Sequence, residues 1–212
     1  MLAELGARLR PAATQPVTAA RRALQAQATR RRQLVEIRKQ EVTRLHQTTD
    51  KQARADITSL IAVLDRRIAK AEAQMAALVE ADPEIKTIGR RLQTAPGVGP
   101  IVAATLIAEM PELGQIDRRR IAALAGLAPI ARDSGKRAGT RSIGGGRLVV
   151  RTILYLAALQ ASRRFVVFRT FRERLSSTGK STKVALIATA RKLLVTLNAM
   201  LATATDYDPA AT

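Results

Sequence analysis

From about Ala20 the chain sets hydrophobic positions among polar ones at the period of a helix. Leu24, Ala28, Val35, Val42 and Leu45 lie on alternating steps of four and three, with Arg31 and Arg38 in two slots of the same stripe. A polar patch over 47–52 interrupts the stripe, which then sharpens. Ile57, Ile61, Leu64, Ile68, Ala71, Met75 and Leu78 step 4, 3, 4, 3, 4, 3. An a/d seam held for about three heptads predicts a coiled coil or an antiparallel helix pair. Two arrangements satisfy it: one rod that pairs with a second chain, or two arms that fold back at the polar patch. Pro83 ends the pattern, because proline has no N–H to continue a helix.

From Gly89 the texture shortens, with helices separated by Gly and Pro. Residues 101–110 read as one helix, stopped by Pro111; Asp117 caps the next, over 118–125, and Gly126 ends it. A loop over 129–146 has no apolar periodicity and five glycines. Residues 148–171 resume helix, Gly179 breaks it, and Ser181 or Thr182 caps a last helix to about Ala202. The expected fold is all-α: long helical arms over 20–88, then a compact multi-helix domain over 89–202 with a helix-hairpin-helix-like motif. A loose leading segment (1–19) and a tail (203–212) flank them.

Composition supports helix over sheet, since 47% of residues are apolar and only 2% aromatic. Charge changes the picture more. Against 17 Asp+Glu stand 36 Lys+Arg, a net of +19, and self-repulsion on that scale calls for a polyanionic partner. Arginine dominates, and its planar fork suits phosphate. The excess is local: residues 118–192 carry 18 Lys+Arg and 2 acids. The absence of cysteine excludes disulfides and cysteine-ligated zinc. No signal-peptide layout and no apolar run of about 18 residues is read, so the expectation is a cytoplasmic, nucleoid-associated protein with no membrane contact.

Several segments could carry chemistry. Thr94-Ala95-Pro96-Gly97-Val98-Gly99 precedes an apolar helix, so the N–H groups of Gly97, Val98 and Gly99 could meet a DNA phosphate; the other reading is a structural turn. In Arg132-Asp133-Ser134-Gly135-Lys136-Arg137, continuing to Arg141, a serine ringed by cations could attack a phosphodiester, although Asp-Ser-Gly also makes an ordinary turn. Arg147 and Arg151 follow three glycines and share a helix face, as a phosphate clamp or a solvated basic face. Phe165, Phe168 and Phe171 recur at helical spacing among arginines, a pattern that fills cores more often than it stacks on bases. Carboxylates are too scattered to hold two metal ions.

Taken in order, Ala-Pro-Gly-Val-Gly (95–99), Ala-Ala-Leu-Ala-Gly-Leu-Ala-Pro (122–129), Asp-Ser-Gly (133–135), Gly-Gly-Arg (145–147), Arg-x-x-Leu-Tyr (151–155) and Arg-Lys-Leu-Leu (191–194) resemble one family. It is the DEDD-type insertion-sequence transposases with a serine-containing C-terminal domain, the bridge-RNA-guided recombinases. The resemblance spans about residues 20–202 and implies a C-terminal part whose RuvC-like nuclease domain is not in this sequence. It implies Ser134 as the nucleophile of strand exchange once that domain is supplied, with Arg132, Lys136, Arg137, Arg141, Arg147 and Arg151 positioning phosphate. It also implies DNA and guide RNA as partners, and assembly with itself or a full-length transposase through the coiled coil. Divalent metal is implied only for the nuclease domain, and no cofactor for this chain. The alternative is a non-catalytic regulator that binds nucleic acid and full-length transposase.

Overall fold

The computed structural model describes residues 17–130 and 141–211. Its elements are α1 (Ala19–Gln47), α2 (Lys51–Ala81), α3 (Pro83–Gln93), α4 (Pro100–Glu109), α5 (Arg118–Leu124), β1 (Pro129–Ile130), β2 (Ser142–Ile143), α6 (Leu148–Arg164), α7 (Val166–Ser177) and α8 (Thr182–Ala202), then a 3-10 turn at Pro209–Ala211. The fold is all-α, as expected.

The polar patch is a turn, and the two arms fold back on each other. Asp50 caps α2 by accepting the Ala53 N–H at 2.8 Å. Arg54 reaches back to the Leu45 and Thr48 carbonyls, at 2.6 and 2.8 Å, and so satisfies acceptors that the end of α1 leaves open. Across the pair, Arg31 meets Glu72 at 2.7 Å and Arg38 meets Asp65 at 2.5 Å. The partner number falls by seven as the arginine number rises by seven, which is antiparallel register. All seven seam positions of α2 are buried or half-buried. On α1 the stripe is corrected by one residue: Leu34 takes the slot expected of Val35, which stays 37% exposed. Val35 turns instead to a cavity that it shares with Leu148 and Leu156 of α6.

Core packing ties the arms to the domain. Leu24, Ala28 and Met75 belong to the main core with Ile85, Leu106, Leu154, Phe168 and Leu193, whereas Leu34, Leu64 and Ala71 form a separate cluster farther out. Helix α3 runs across residues 88 and 89, capped by Asp82 and opened by Pro83.

Helix α8 is the central element and packs on α3, α5, α6 and α7. Contrary to the sequence expectation, it has the length and apolarity of a membrane span; half of that window is buried inside the protein. Its Asn198 bonds through both ends of its amide: the side chain accepts the Gly114 N–H and donates to the Ile116 carbonyl, each at 2.9 Å, and so pins the loop before α5.

The helix expected over 148–171 is two helices. Phe165 adopts an extended backbone (φ −119°, ψ 127°), and Arg169 donates to the Arg163 carbonyl freed by the break, at 2.7 Å. The bend lets Phe168 enter the core completely. The loop expected over 129–146 also contains structure, because β1 and β2 pair antiparallel with Pro129 opposite Ile143 and Ile130 opposite Ser142.

Candidate nucleic-acid interface

The β1–β2 ribbon stands on a tightly packed base. Gly126 and Gly146 both have positive φ, +68° and +58°, and a Cβ on Gly146 would lie 2.3 Å from the Gly126 nitrogen. No other residue allows that approach. The Arg147 N–H donates to the Leu124 carbonyl at 2.8 Å. Arg151 uses one Nη1 for two carbonyls, Gly145 at 2.8 Å and Gly126 at 3.3 Å. Arg147 grips Glu112 through two bonds of 2.6 Å. Those bonds hold the Glu112 carboxyl below its ordinary value and raise the Arg147 guanidinium above its own. Spacing put Arg147 and Arg151 on one face; their guanidinium contacts fasten the base of the ribbon.

Ser134, Arg132, Lys136 and Arg137 lie outside the described residues. The residues flanking that segment, Ile130 and Ser142, are paired across the ribbon, and Arg141 beside Ser142 is exposed.

The turn over 94–99 joins α3 to α4. Gly97 has φ +76°, and a Cβ there would lie 2.2 Å from the Ala157 carbonyl of α6. Val98 is buried, 5% exposed. Two of the three residues that spacing offered for backbone contact therefore pack inward. Gly99 alone is exposed; it caps α4 without a side-chain bond, and a Cβ there would meet nothing.

A third place was missed by the sequence reading. Arg118 and Arg119 from α5, Arg191 and Lys192 from α8, and the segment after α8 surround a cavity of about 780 Å³. Its floor is apolar, made by Val195, Ala199 and Met200, with Phe171 at one side. The Lys192 ammonium lies 4.9 Å from the Phe171 ring centre and 5.9 Å from that of Phe168. Burial, and then neighbouring Arg174, push it below the usual lysine value. Asp206, at the rim, faces away to Arg90 and Arg91 at 3.6 and 3.7 Å, and the Tyr207 N–H donates to Thr94 Oγ1 at 2.9 Å. One signal was available in the sequence: Arg191-Lys192 interrupts an otherwise apolar helix. Of the three phenylalanines, Phe168 is core, Phe171 half-buried and Phe165 exposed.

Residues 89–175 match the model of the transposase IS116/IS110/IS902 family. The matched stretch starts within α3, takes in the 94–99 turn and both strands, and ends in α7; the arms and α8 lie outside it. The chain is 37% identical over 123 residues to the insertion element IS900 uncharacterized 42 kDa protein of Mycobacterium paratuberculosis, covering 55% of this chain and 30% of that protein. It is 30% identical over 158 residues to the insertion element IS116 uncharacterized 44.8 kDa protein of Streptomyces clavuligerus, covering 73% of this chain and 38% of that protein. The chain thus spans about a third of the length of these curated relatives.

Proposed function

We propose that this chain is the DNA-binding, strand-exchanging part of an insertion-sequence transposase and acts in DNA transposition with Ser134 as nucleophile. The observation that carries the reading is the ribbon base: the transposase match covers it, and its strands pair the residues flanking the segment that bears Ser134. In that chemistry the Ser134 Oγ attacks a DNA phosphorus, the bond from phosphorus to the leaving sugar oxygen breaks, and a phosphoserine ester holds the strand until exchange. Arg132, Lys136, Arg137 and Arg141 neutralise the charge that gathers on the phosphorus oxygens. Arg147 and Arg151 act one step back, by holding the ribbon. Gly99 offers the free start of α4 to a further phosphate. Guide RNA is the second polyanion of this reading, and a nuclease domain supplied from outside these residues completes it, bringing the divalent metal with it. The seam of α2 is filled by α1 of the same chain, so assembly with another copy or a full-length transposase uses an outer face of the hairpin.

The test is covalent trapping. Protein is incubated with labelled element-end DNA, with and without guide RNA and a full-length family member, and run on a denaturing gel. The expected result is a protein–DNA band that Ser134→Ala abolishes while native-gel binding persists. A band that survives Ser134→Ala contradicts the assignment. Binding with no covalent band under any condition assigns the chain to regulation instead.

A further inference from the structure

The cavity between α5, α8 and the segment after α8 joins three properties. Its cations are largely without counter-charges: among the described residues Arg118, Arg119, Arg191 and Lys192 form no salt bridge, and Arg119 alone feels a carboxylate, that of neighbouring Asp117. The two acids at its rim are Asp206, which is engaged with Arg90 and Arg91, and Asp208, which accepts the Ala210 N–H. Its floor carries the apolar side chains of Val195, Ala199 and Met200, with no charged residue from 195 to 200. Its volume, about 780 Å³, suits a ligand of small-molecule size.

An anion with an apolar planar part answers all three. Duplex nucleic acid shows its phosphates outside and keeps its base faces stacked inside. Only an unpaired nucleotide brings phosphate and base face into one concavity. We propose that this pocket captures one unpaired nucleotide of a single strand, its phosphate held by Arg118, Arg119 and Arg191 and its base laid on Val195, Ala199 and Met200. The inference rests on reading the chain as a nucleic-acid-binding protein, and adds which form it takes and where. Phosphate there would also give Lys192 the counter-charge it lacks. The Asp206 and Tyr207 contacts to α3 and Thr94 hold the rim in place.

The test compares binding of a labelled thymidine strand, the matching uridine strand and a blunt duplex, each of about 15 nucleotides, to the full chain at one salt concentration. Ala199→Trp fills the pocket without touching its charge, because residue 199 is exposed. It is expected to weaken single-strand binding roughly tenfold, the worth of one stacked base, and to leave duplex binding unchanged. Arg118→Ala with Arg191→Ala should weaken single strands more than duplex. The thymidine and uridine arms show whether the strand is DNA or RNA. A second measurement needs no variant: 5-iodouracil strands crosslinked to the unaltered protein should map to Phe171 or residues 195–200. Single-strand affinity unchanged by Ala199→Trp, a loss shared equally with duplex, or crosslinks only elsewhere would overturn the proposal. If those results come with intact duplex binding and a Ser134-dependent covalent band, only this inference fails. No binding of any strand or duplex removes the functional reading as well.

Discussion

The arms and the domain use arginine in opposite ways. Along the arms, outside the turn where Arg54 holds carbonyls, three arginines meet carboxylates: Arg31 faces Glu72 and Arg38 faces Asp65 on the opposite helix, and Arg44 pairs with Glu41 on its own. The pairs fix the register of two helices and cancel charge. In the domain, Arg151 and Arg169 are fixed by carbonyls, Arg147 by one carboxylate, and the cations around the α5–α8 cavity by none among the described residues. A carbonyl orients a guanidinium without neutralising it. The domain therefore keeps a strong positive field over a well-ordered surface, which is what a phosphate-binding face requires.

The two regions also differ in what holds them together. The arms depend on side chains at heptad spacing, whereas the domain depends on backbones that touch at glycine. The sharpest break of that comparison is Gly97→Ala. The new methyl meets the Ala157 carbonyl in a left-handed backbone, so the variant should lose about 3–5 kcal/mol in denaturant unfolding or fail to fold. A loss under about 1 kcal/mol would mean that α6 yields there. Leu64→Ala, in the outer cluster of the hairpin, should cost about 2–3 kcal/mol. Hydrogen exchange should place its effect in the outer arms and leave the domain amides protected. Loosening throughout would show that the two regions form one cooperative unit.

Smaller still is Glu112→Gln, which removes the carboxylate from the half-exposed Arg147 clamp and should cost about 1 kcal/mol at neutral pH. The sign with pH follows from the lowered Glu112 carboxyl. Its contribution is complete above the ordinary value of 4.5 and disappears as pH falls through the lower folded value. Parent and Glu112→Gln should converge in acid; a gap that persists there would mean that the loss comes from packing.

How much of this was legible followed the same division. The α2 seam, the Asp117 cap and the Pro83 break could all be read because each signal lies within a few residues of its effect. The choice between rod and hairpin could not, because the seam alone does not say whose helix fills it. Leu34 and Val35 were exchanged because both are apolar neighbours and only the approach of α6 separates them. Gly97 and Gly146 stood out as glycines, but their partners, Ala157 and Gly126, are set by tertiary approach. Arg147 and Arg151 were found by spacing, and their contacts with Glu112 and the Gly126 and Gly145 carbonyls were invisible to it. The α5–α8 cavity was missed because its two basic walls, Arg118 and Arg119 on α5 and Arg191 and Lys192 on α8, lie more than seventy residues apart in sequence.

The most direct test of the division is the salt dependence of duplex DNA affinity in three proteins: parent, an arm variant (Arg31→Gln with Arg38→Gln) and a domain variant (Arg132→Gln, Lys136→Gln and Arg137→Gln). Each phosphate-neutralising cation contributes about 0.9 to the slope of log affinity against log salt. The arm variant should keep the parent slope, since Glu72 and Asp65 already neutralise those arginines. The domain variant should lower its magnitude by about 2–3. Equal slopes in parent and domain variant, or a larger fall in the arm variant, would contradict the assignment of nucleic-acid binding to the domain.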